Sequence, residues 1–370
     1  MLTLREVTSE FWEYRLDKPI GGSGVKQIDI IVVHLHGERG GKSHSGKSFS
    51  GMGFSYVLGG GGRIAHDATT LLLDRFVRGQ TIEHPIKLWH QISASFNRLG
   101  KGPNNIALAA IDVAAWDLYA RSLDMPLGLA MGGAASRPVP IYGSGAFYAG
   151  QTPDDAAAAA TRHVRNGYRA VKPRAAGAPS DRELLKAVAA VLPGDTQMFV
   201  DANEKCDLVA AHSLMRLAAD YHVAFVEEPL PANNLAGYRT LAASAPVPIA
   251  FGEHIQGTDA LAPFMLDRLC AVVQPDLAMM GGLTDCLKLC AWAEQTNTSV
   301  SPHFLPALFV HLAHASPAVR WLEDFPTIEA LFDAPMTVQD GMVSPATQPG
   351  QPPGHGIVWK SGARETYRVI

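Results

Sequence analysis

Three carboxylates recur at one interval, since Asp201, Glu227 and Glu253 follow one another 26 residues apart. Each closes a mostly apolar run: Val-Asp201-Ala-Asn203, Glu227-Glu228-Pro229 and Gly252-Glu253-His254. A single acid is ordinarily a solvated or capping group. Three acids aimed at one mouth would repel one another unless a cation sat between them. Oxygen-only ligation, with no histidine or cysteine in the set, selects a hard ion. A set left open to water and substrate favours Mg²⁺ over a caged Ca²⁺. Metal ligands are therefore expected at Asp201, Glu227 and Glu253, with strand parity leaving Glu228 as an alternative to Glu227.

Other residues could complete a reaction centre. In Lys172-Pro173-Arg174 two cations face the same way on a strand; they serve as counter-charge for the acids, or Lys172 holds a substrate carboxylate with Arg174 beside the α-carbon. Asp276 and His303 end neighbouring apolar runs, in Gln274-Pro275-Asp276 and Ser301-Pro302-His303. If Asp276 accepts one ring N–H of His303, the tautomer is fixed and the other nitrogen is a base. Glu323, in Trp321-Leu322-Glu323-Asp324, could donate a hydrogen bond to the same carboxylate if held protonated. This constellation suits removal of a proton α to a carboxylate, in which a dianionic ene-diolate must be stabilised as it forms.

The elements that must position these residues are legible as repeats. From Val139 onward, short apolar strands alternate with helical stretches at a spacing of about 25 residues, the pattern of repeated βα units. Eight strands are expected: Val139 to Ala146, Ala170 to Arg174, Met198 to Asn203, Val223 to Leu230, Val247 to Glu253, Ala271 to Asp276, Val300 to His303, and Val319 to Asp324. Thr152 with Pro153 starts one helix, and Ser180 with Glu183 reads as a capping box for the next. Eight parallel strands in roughly 190 residues fit a (β/α)₈-type barrel, whose active site lies at the C-terminal strand ends.

Before the barrel, strand-like runs near Leu4 to Val7, Ile28 to Leu35 and Met52 to Leu58 precede helical segments, an α+β arrangement. Asn104 to Leu123 reads as a helix with Ile106, Ala110, Val113 and Ala120 on one stripe. Gly37 to Ser50, with Lys42, His44 and Lys47, is expected as a polar hairpin and Gly59 to Gly62 as a loop. The latter lacks the spacing of a nucleotide-binding motif. Gly132 to Ala134 marks a boundary. The expected organisation is a capping domain over 1–135, a barrel over 136–333 and a C-terminal segment over 334–370, with Pro345 to Gly356 a Pro/Gly/Gln-rich stretch.

Composition limits the partners. A 370-residue chain with 47% hydrophobic and 18% charged residues can bury a large core. Its 31 basic and 35 acidic residues, net −4, make no field suited to nucleic acid or an anionic membrane. No spanning segment or signal peptide is evident, and a cytoplasmic location is expected. Cys206, Cys270, Cys286 and Cys290 have no C-x-x-C pair and read as reduced core residues.

Taken together, Lys172-Pro-Arg174, Asp201-Ala-Asn203, Glu227-Glu-Pro, Gly-Glu253-His and the pair Asp276 and His303, 27 residues apart, resemble the mandelate racemase subgroup of the enolase superfamily. The resemblance covers almost the whole chain. It implies an α/β fold, a (β/α)₇β modified TIM barrel with an α+β N-terminal cap and a C-terminal segment rejoining that cap. It also implies Mg²⁺ as cofactor, Lys172, Arg174, Asp276, His303 and Glu323 as catalytic residues, and Asn203, Lys172 and Glu323 as substrate-binding. A small acid-sugar substrate and a homo-oligomer are expected. Racemases of the subgroup carry Lys-x-Lys, whereas here the second position is Arg174, a poor base. One-base dehydration by His303, giving a 2-keto-3-deoxy acid, is thus the leading expectation, with racemisation or epimerisation of a 2-hydroxy acid as the alternative. Cap loops at Arg15 to Gln27 and about Tyr56 to Arg63 are expected to shape specificity.

Overall fold

The structure, a computed structural model, describes residues 1–39, 47–133, 137–334, 336–343 and 353–370. Its first layer is an antiparallel sheet of β1 (Leu2–Ile20), β2 (Val25–Arg39), β3 (Ser48–Leu58) and the short β4 (Thr81–Ile82), in the order β3-β2-β1-β4. In β2 the run Ile28, Ile30, Ile31, Val32 and Val33 is fully buried, so this strand is covered on both faces and reads as a continuous apolar segment. Helix Pro103–Ser122 lies across β3 and is buried on nearly every side rather than along one stripe. The glycines of β3 permit that approach: a Cβ at Gly53 would meet the Ala114 nitrogen at 2.1 Å, and one at Gly51 the Leu118 nitrogen at 2.5 Å.

Two expectations for this layer change. Arg15 to Gln27 is a strand-turn-strand hairpin with a bulge, because β1 and β2 pair at Ile20 with Val25 and again from Arg15 with Gln27. The hairpin expected over Gly37 to Ser50 is narrower, since β2 continues to Arg39 and β3 begins at Ser48; Lys42 and His44 lie outside the described residues. Lys47 rests its ammonium 5.2 Å from the Phe49 ring.

The second layer is the barrel. Its segments are β5 (Val139–Gly143), β6 (Ala170–Val171), β7 (Gln197–Met198), β8 (Val200–Asp201), β9 (Val226–Glu227), β10 (Ile249–Phe251), β11 (Val272–Val273), β12 (Ser299–Val300) and β13 (Leu322–Asp324). They form two parallel paths, β13-β5-β6-β7 and β8-β9-β10-β11-β12. The adjacent β7 and β8 join the paths on one side, and a parallel bridge between Val300 and Val319 closes them on the other. The eight expected strands are therefore present, each shorter than the apolar run that marks it.

Period-two alternation explains the interior. Tyr142, Ala170, Phe199, Phe225 and Ala250 pack together inside the barrel with Val272 and Trp321, and the Phe199 and Phe225 rings stack at 4.1 Å. Two residues further along their strands, on the same inward side, come Lys172, Asp201, Glu227, Gln274 and Glu323. An aromatic floor thus carries a polar layer at the mouth.

Helix starts agree in part. The Thr152 hydroxyl caps its helix by accepting from the Asp155 amide at 3.2 Å. Ser180 makes no such bond. Its backbone is already helical, and the Asp181 carboxylate instead accepts from Ala176 and Ala178 at 2.9 and 2.8 Å. All four cysteines are free and buried. No helix among the described residues is long and apolar enough to cross a membrane. The chain end pairs with β1: the Phe11 amide donates to the Ile370 carbonyl at 3.1 Å, and Val369 donates to the Phe11 carbonyl at 2.8 Å. Trp359 packs among Trp12, Phe54 and Phe332.

Candidate active site

Lys172 stands at the centre of the polar layer. Its ammonium lies 2.6 Å from Glu227, 2.8 Å from Glu323 and 3.5 Å from Asp201, and its side chain is 1% exposed. Burial disfavours the charged lysine, but Glu227 and then Glu323 overcome that and raise its pKa. The Tyr142 ring lies beneath it at 5.4 Å.

Glu227 and Glu228 separate by strand parity. Glu227 turns inward, where Gln274 donates to it at 2.6 Å. Glu228 meets His254, whose Nδ1 lies 2.9 Å away, and donor atoms of Glu204, Glu228 and His254 fall within 4.8 Å of one another. The equal spacing in sequence does not become equal height in the barrel. Glu227 is level with Asp201 and Ala250, so Glu253 lies three residues above that level.

Glu253 approaches the second group. Its Oε2 is 3.5 Å from His303 Nε2, while His303 Nδ1 is 2.8 Å from Asp276 Oδ2. Asp276 Oδ1 accepts from the Ala278 and Met279 amides at 2.9 and 3.0 Å. These amides open the short helix Leu277–Met280, so backbone and imidazole share the carboxylate. Burial alone would lower His303, but Glu253 and the bond to Asp276 raise it to about 9. Burial lifts Glu253; His303 opposes this, while Glu228 and Glu227 add to it, bringing Glu253 to about 8.

Arg174 forms an ion pair with Asp201 and donates to Asn203 Oδ1 at 3.2 Å. Asn203 in turn donates its backbone N–H to Asp201 at 2.8 Å. Above it sits the β1–β2 turn: a Cβ at Gly22 would fall 1.8 Å from Asn203 Oδ1, and the Lys205 ammonium donates to the Gly22 carbonyl. Glu323 differs from expectation. Burial would raise its carboxyl, but Lys172 and then His303 bring it down to about 2. It is an ionised acceptor, taking the Phe304 amide at 3.1 Å, and does not donate.

Asp201, Glu227, Glu253, Lys172, Arg174, Asn203, Asp276, His303 and Glu323 thus line one mouth. Three partners were not apparent in the sequence. His254 beside Glu228 repeats the 26-residue interval one position on, a signal that was available. Gln274 at Glu227 follows from inward parity on β11. Tyr56, whose hydroxyl reaches Asp276 at 2.5 Å, arrives from β3, and only the docking of cap on barrel brings it there.

The donor set suits a divalent cation in chemistry rather than in spacing: among the described residues Glu204, Glu228 and His254 bring three donor atoms within 4.8 Å of one another, and Asp201, Glu227 and Glu253 do not. Asp201, Glu227 and Glu253 offer only hard oxygen ligands. Glu227 Oε1 is buried and has no hydrogen-bond partner, and the acids around the mouth outnumber the one buried ammonium among them.

Comparison with known proteins agrees with this architecture. Residues 155–363 match the family described as enolase C-terminal domain-like. Residues 23–132 match the mandelate racemase / muconate lactonizing enzyme N-terminal domain. The L-talarate/galactarate dehydratase of Salmonella typhimurium is 27% identical over 321 residues, 85% of this chain and 77% of that protein. An L-talarate dehydratase from Polaromonas sp. JS666, solved with Mg and L-glucarate, superposes with a TM-score of 0.87 at 25% identity, covering 99% of this chain and 97% of that one. A racemase from Streptomyces coelicolor A3(2) with bound magnesium gives 0.86 at 25% identity, covering 99% of this chain and 100% of that one. The chain belongs to the mandelate racemase / muconate lactonizing enzyme family of the enolase superfamily.

Proposed function

We propose that this protein is a Mg²⁺-dependent hydro-lyase that dehydrates a small acid sugar to a 2-keto-3-deoxy acid. The observation that carries the reading is the His303–Asp276 pair, at 2.8 Å, set beside the carboxylates that surround Lys172. Likeness to acid-sugar dehydratases supports it.

Asp201, Glu227 and Glu253 would hold the metal. When bound, Mg²⁺ supplies the positive charge that offsets the substrate carboxylate and the second negative charge created at it. Lys172 adds a second cation for that carboxylate, and Asn203 and Glu323 fix the substrate's orientation. His303, with Nδ1–H donated to Asp276, presents Nε2 as the base that takes the C2 proton. With Glu253 so engaged, the largest of the charges that raise the imidazole would be offset. The C3 hydroxyl then leaves with the proton His303 carries, and the enol tautomerises to the 2-keto acid.

Arg174 separates this reading from its alternative. A racemase or epimerase working through two bases needs a second group able to give up its proton, and a guanidinium tied to Asp201 and Asn203 keeps it. Likeness to a racemase favours the alternative.

The test is incubation with Mg²⁺ and a panel of acid sugars and 2-hydroxy acids, read for 2-keto acid and for solvent deuterium at C2. A keto acid from at least one aldonate or aldarate is expected, and His303→Asn should lower that rate by about 10²–10⁴-fold. Deuterium exchange without keto acid would establish the racemase instead. Silence across the panel in protein that binds Mg²⁺ would end the dehydratase reading.

A further inference from the structure

One side chain of the cap reaches the dyad of the barrel. On β3, Gly51 and Gly53 face helix Pro103–Ser122, which leaves the alternate residues Phe54 and Tyr56 facing the opposite way. Phe54 packs on Phe332 and Trp359. Tyr56 is 2% exposed, and its ring lies 4.9 Å from that of Phe304, the residue after His303. A buried phenol requires a partner for its hydroxyl. This one donates to Asp276 Oδ2 at 2.5 Å, the same oxygen that His303 Nδ1 approaches at 2.8 Å.

Asp276 therefore receives four donors. The Ala278 and Met279 amides occupy Oδ1, while the phenol and the imidazole divide Oδ2. Two amides from the barrel fix one oxygen, but the second is shared between barrel and cap. Phe304 is held on its other side as well, because its amide donates to Glu323 at 3.1 Å and its ring meets the His303 ring edge-on at 4.2 Å. Tyr56 thus touches both the acceptor that orients His303 and the residue that follows it.

We propose that Tyr56 is a positioning residue for the dyad, setting from the capping domain the orientation of Asp276 and the hydrogen bond by which Asp276 holds His303. The proposal rests on the reading of His303 as the base. It makes the geometry of the base depend on a seated cap, so the layer that covers the substrate also completes the group that attacks it. Tyr56 needs no contact with substrate for this role.

The test uses the full chain, labelled with ¹⁵N-histidine and free of metal and substrate. The His303 Nδ1–H resonance is identified by its loss in His303→Asn. In Tyr56→Phe, Oδ2 has only the imidazole to accept from, so this resonance is expected to move downfield. 3-Fluorotyrosine placed at position 56 alone, a stronger donor in an otherwise unchanged protein, is expected to move it upfield. Trp89→Phe removes a different cap-to-barrel bond, the 2.8 Å contact of Trp89 with the Gly281 carbonyl, and should leave it in place. A resonance unmoved by both tyrosine changes overturns the proposal, as does one that Trp89→Phe moves equally. Because the signal is read without turnover, a silent substrate panel leaves this inference intact, and an unmoved resonance leaves the dehydratase reading intact.

Discussion

Lys172 has three carboxylates within 3.5 Å and almost no contact with water. Removing one partner of such a buried ionic group leaves the others uncompensated, at a cost of about 3–5 kcal/mol. Lys172→Met is expected to lose that much stability in denaturant unfolding without metal, and to recover part of it when Mg²⁺ is added. At this scale the sequence is informative because chemistry at strand ends leaves a periodic trace. The interval shared by Asp201, Glu227 and Glu253, and the lysine ending the strand before them, could be read directly. The ionisation of Glu323 could not, since it depends on which cation the closed barrel sets 2.8 Å away. Nor could the choice between Glu227 and Glu228, which turns on Val226 facing outward.

Strand β3 shows what the elements contribute. Between Gly51 and Gly53 on one face and Phe54 and Tyr56 on the other, it joins helix Pro103–Ser122 to the barrel mouth. Gly53→Ala would put a methyl 2.1 Å from the Ala114 nitrogen and 2.4 Å from the Ala110 carbonyl. Both atoms are backbone and cannot turn aside. Overpacking of this kind is expected to cost about 1–3 kcal/mol, measurable as a lower midpoint in urea unfolding. Apolar runs located the strands well, because inward and outward positions are both buried in β2 and in the barrel. Their ends were less legible: β1 runs on past Arg15 to Ile20 through a bulge in its pairing with β2, where composition suggests a loop. The capping box at Ser180 does not form because the Ser180 backbone is already helical, and the neighbouring Asp181 carboxylate accepts from the upstream amides of Ala176 and Ala178 rather than from the helix's own.

Cap, barrel and chain end meet in one buried network. His311 is 3% exposed; its Nδ1 accepts from the Gly128 amide at 3.2 Å and its Nε2 donates to the His355 carbonyl at 3.1 Å. The His355 amide in turn donates to Asp117 at 2.9 Å, and the ring reaches the Met52 carbonyl at 2.8 Å. His311 must be neutral to accept at Nδ1, and burial lowers its pKa from 6.5 to about 4. The unfolded chain then takes up a proton below about pH 6.5 that the folded one refuses until about pH 4, so stability falls across that window by about 3 kcal/mol in total. Asp112 and Glu329, both raised by burial to about 7, carry the opposite slope. The His311 contribution is therefore read as the difference from His311→Gln, which should shrink as pH drops from 6.5 to 4. None of this network was apparent from sequence, because its members come from four distant stretches of chain. The pairing of Val369 and Ile370 with Phe11 has a further effect during synthesis. β1 is made long before residues 369 and 370, so the sheet of the cap gains this pairing only after every strand of the barrel has been translated, and the covering layer is closed later than the layer it covers.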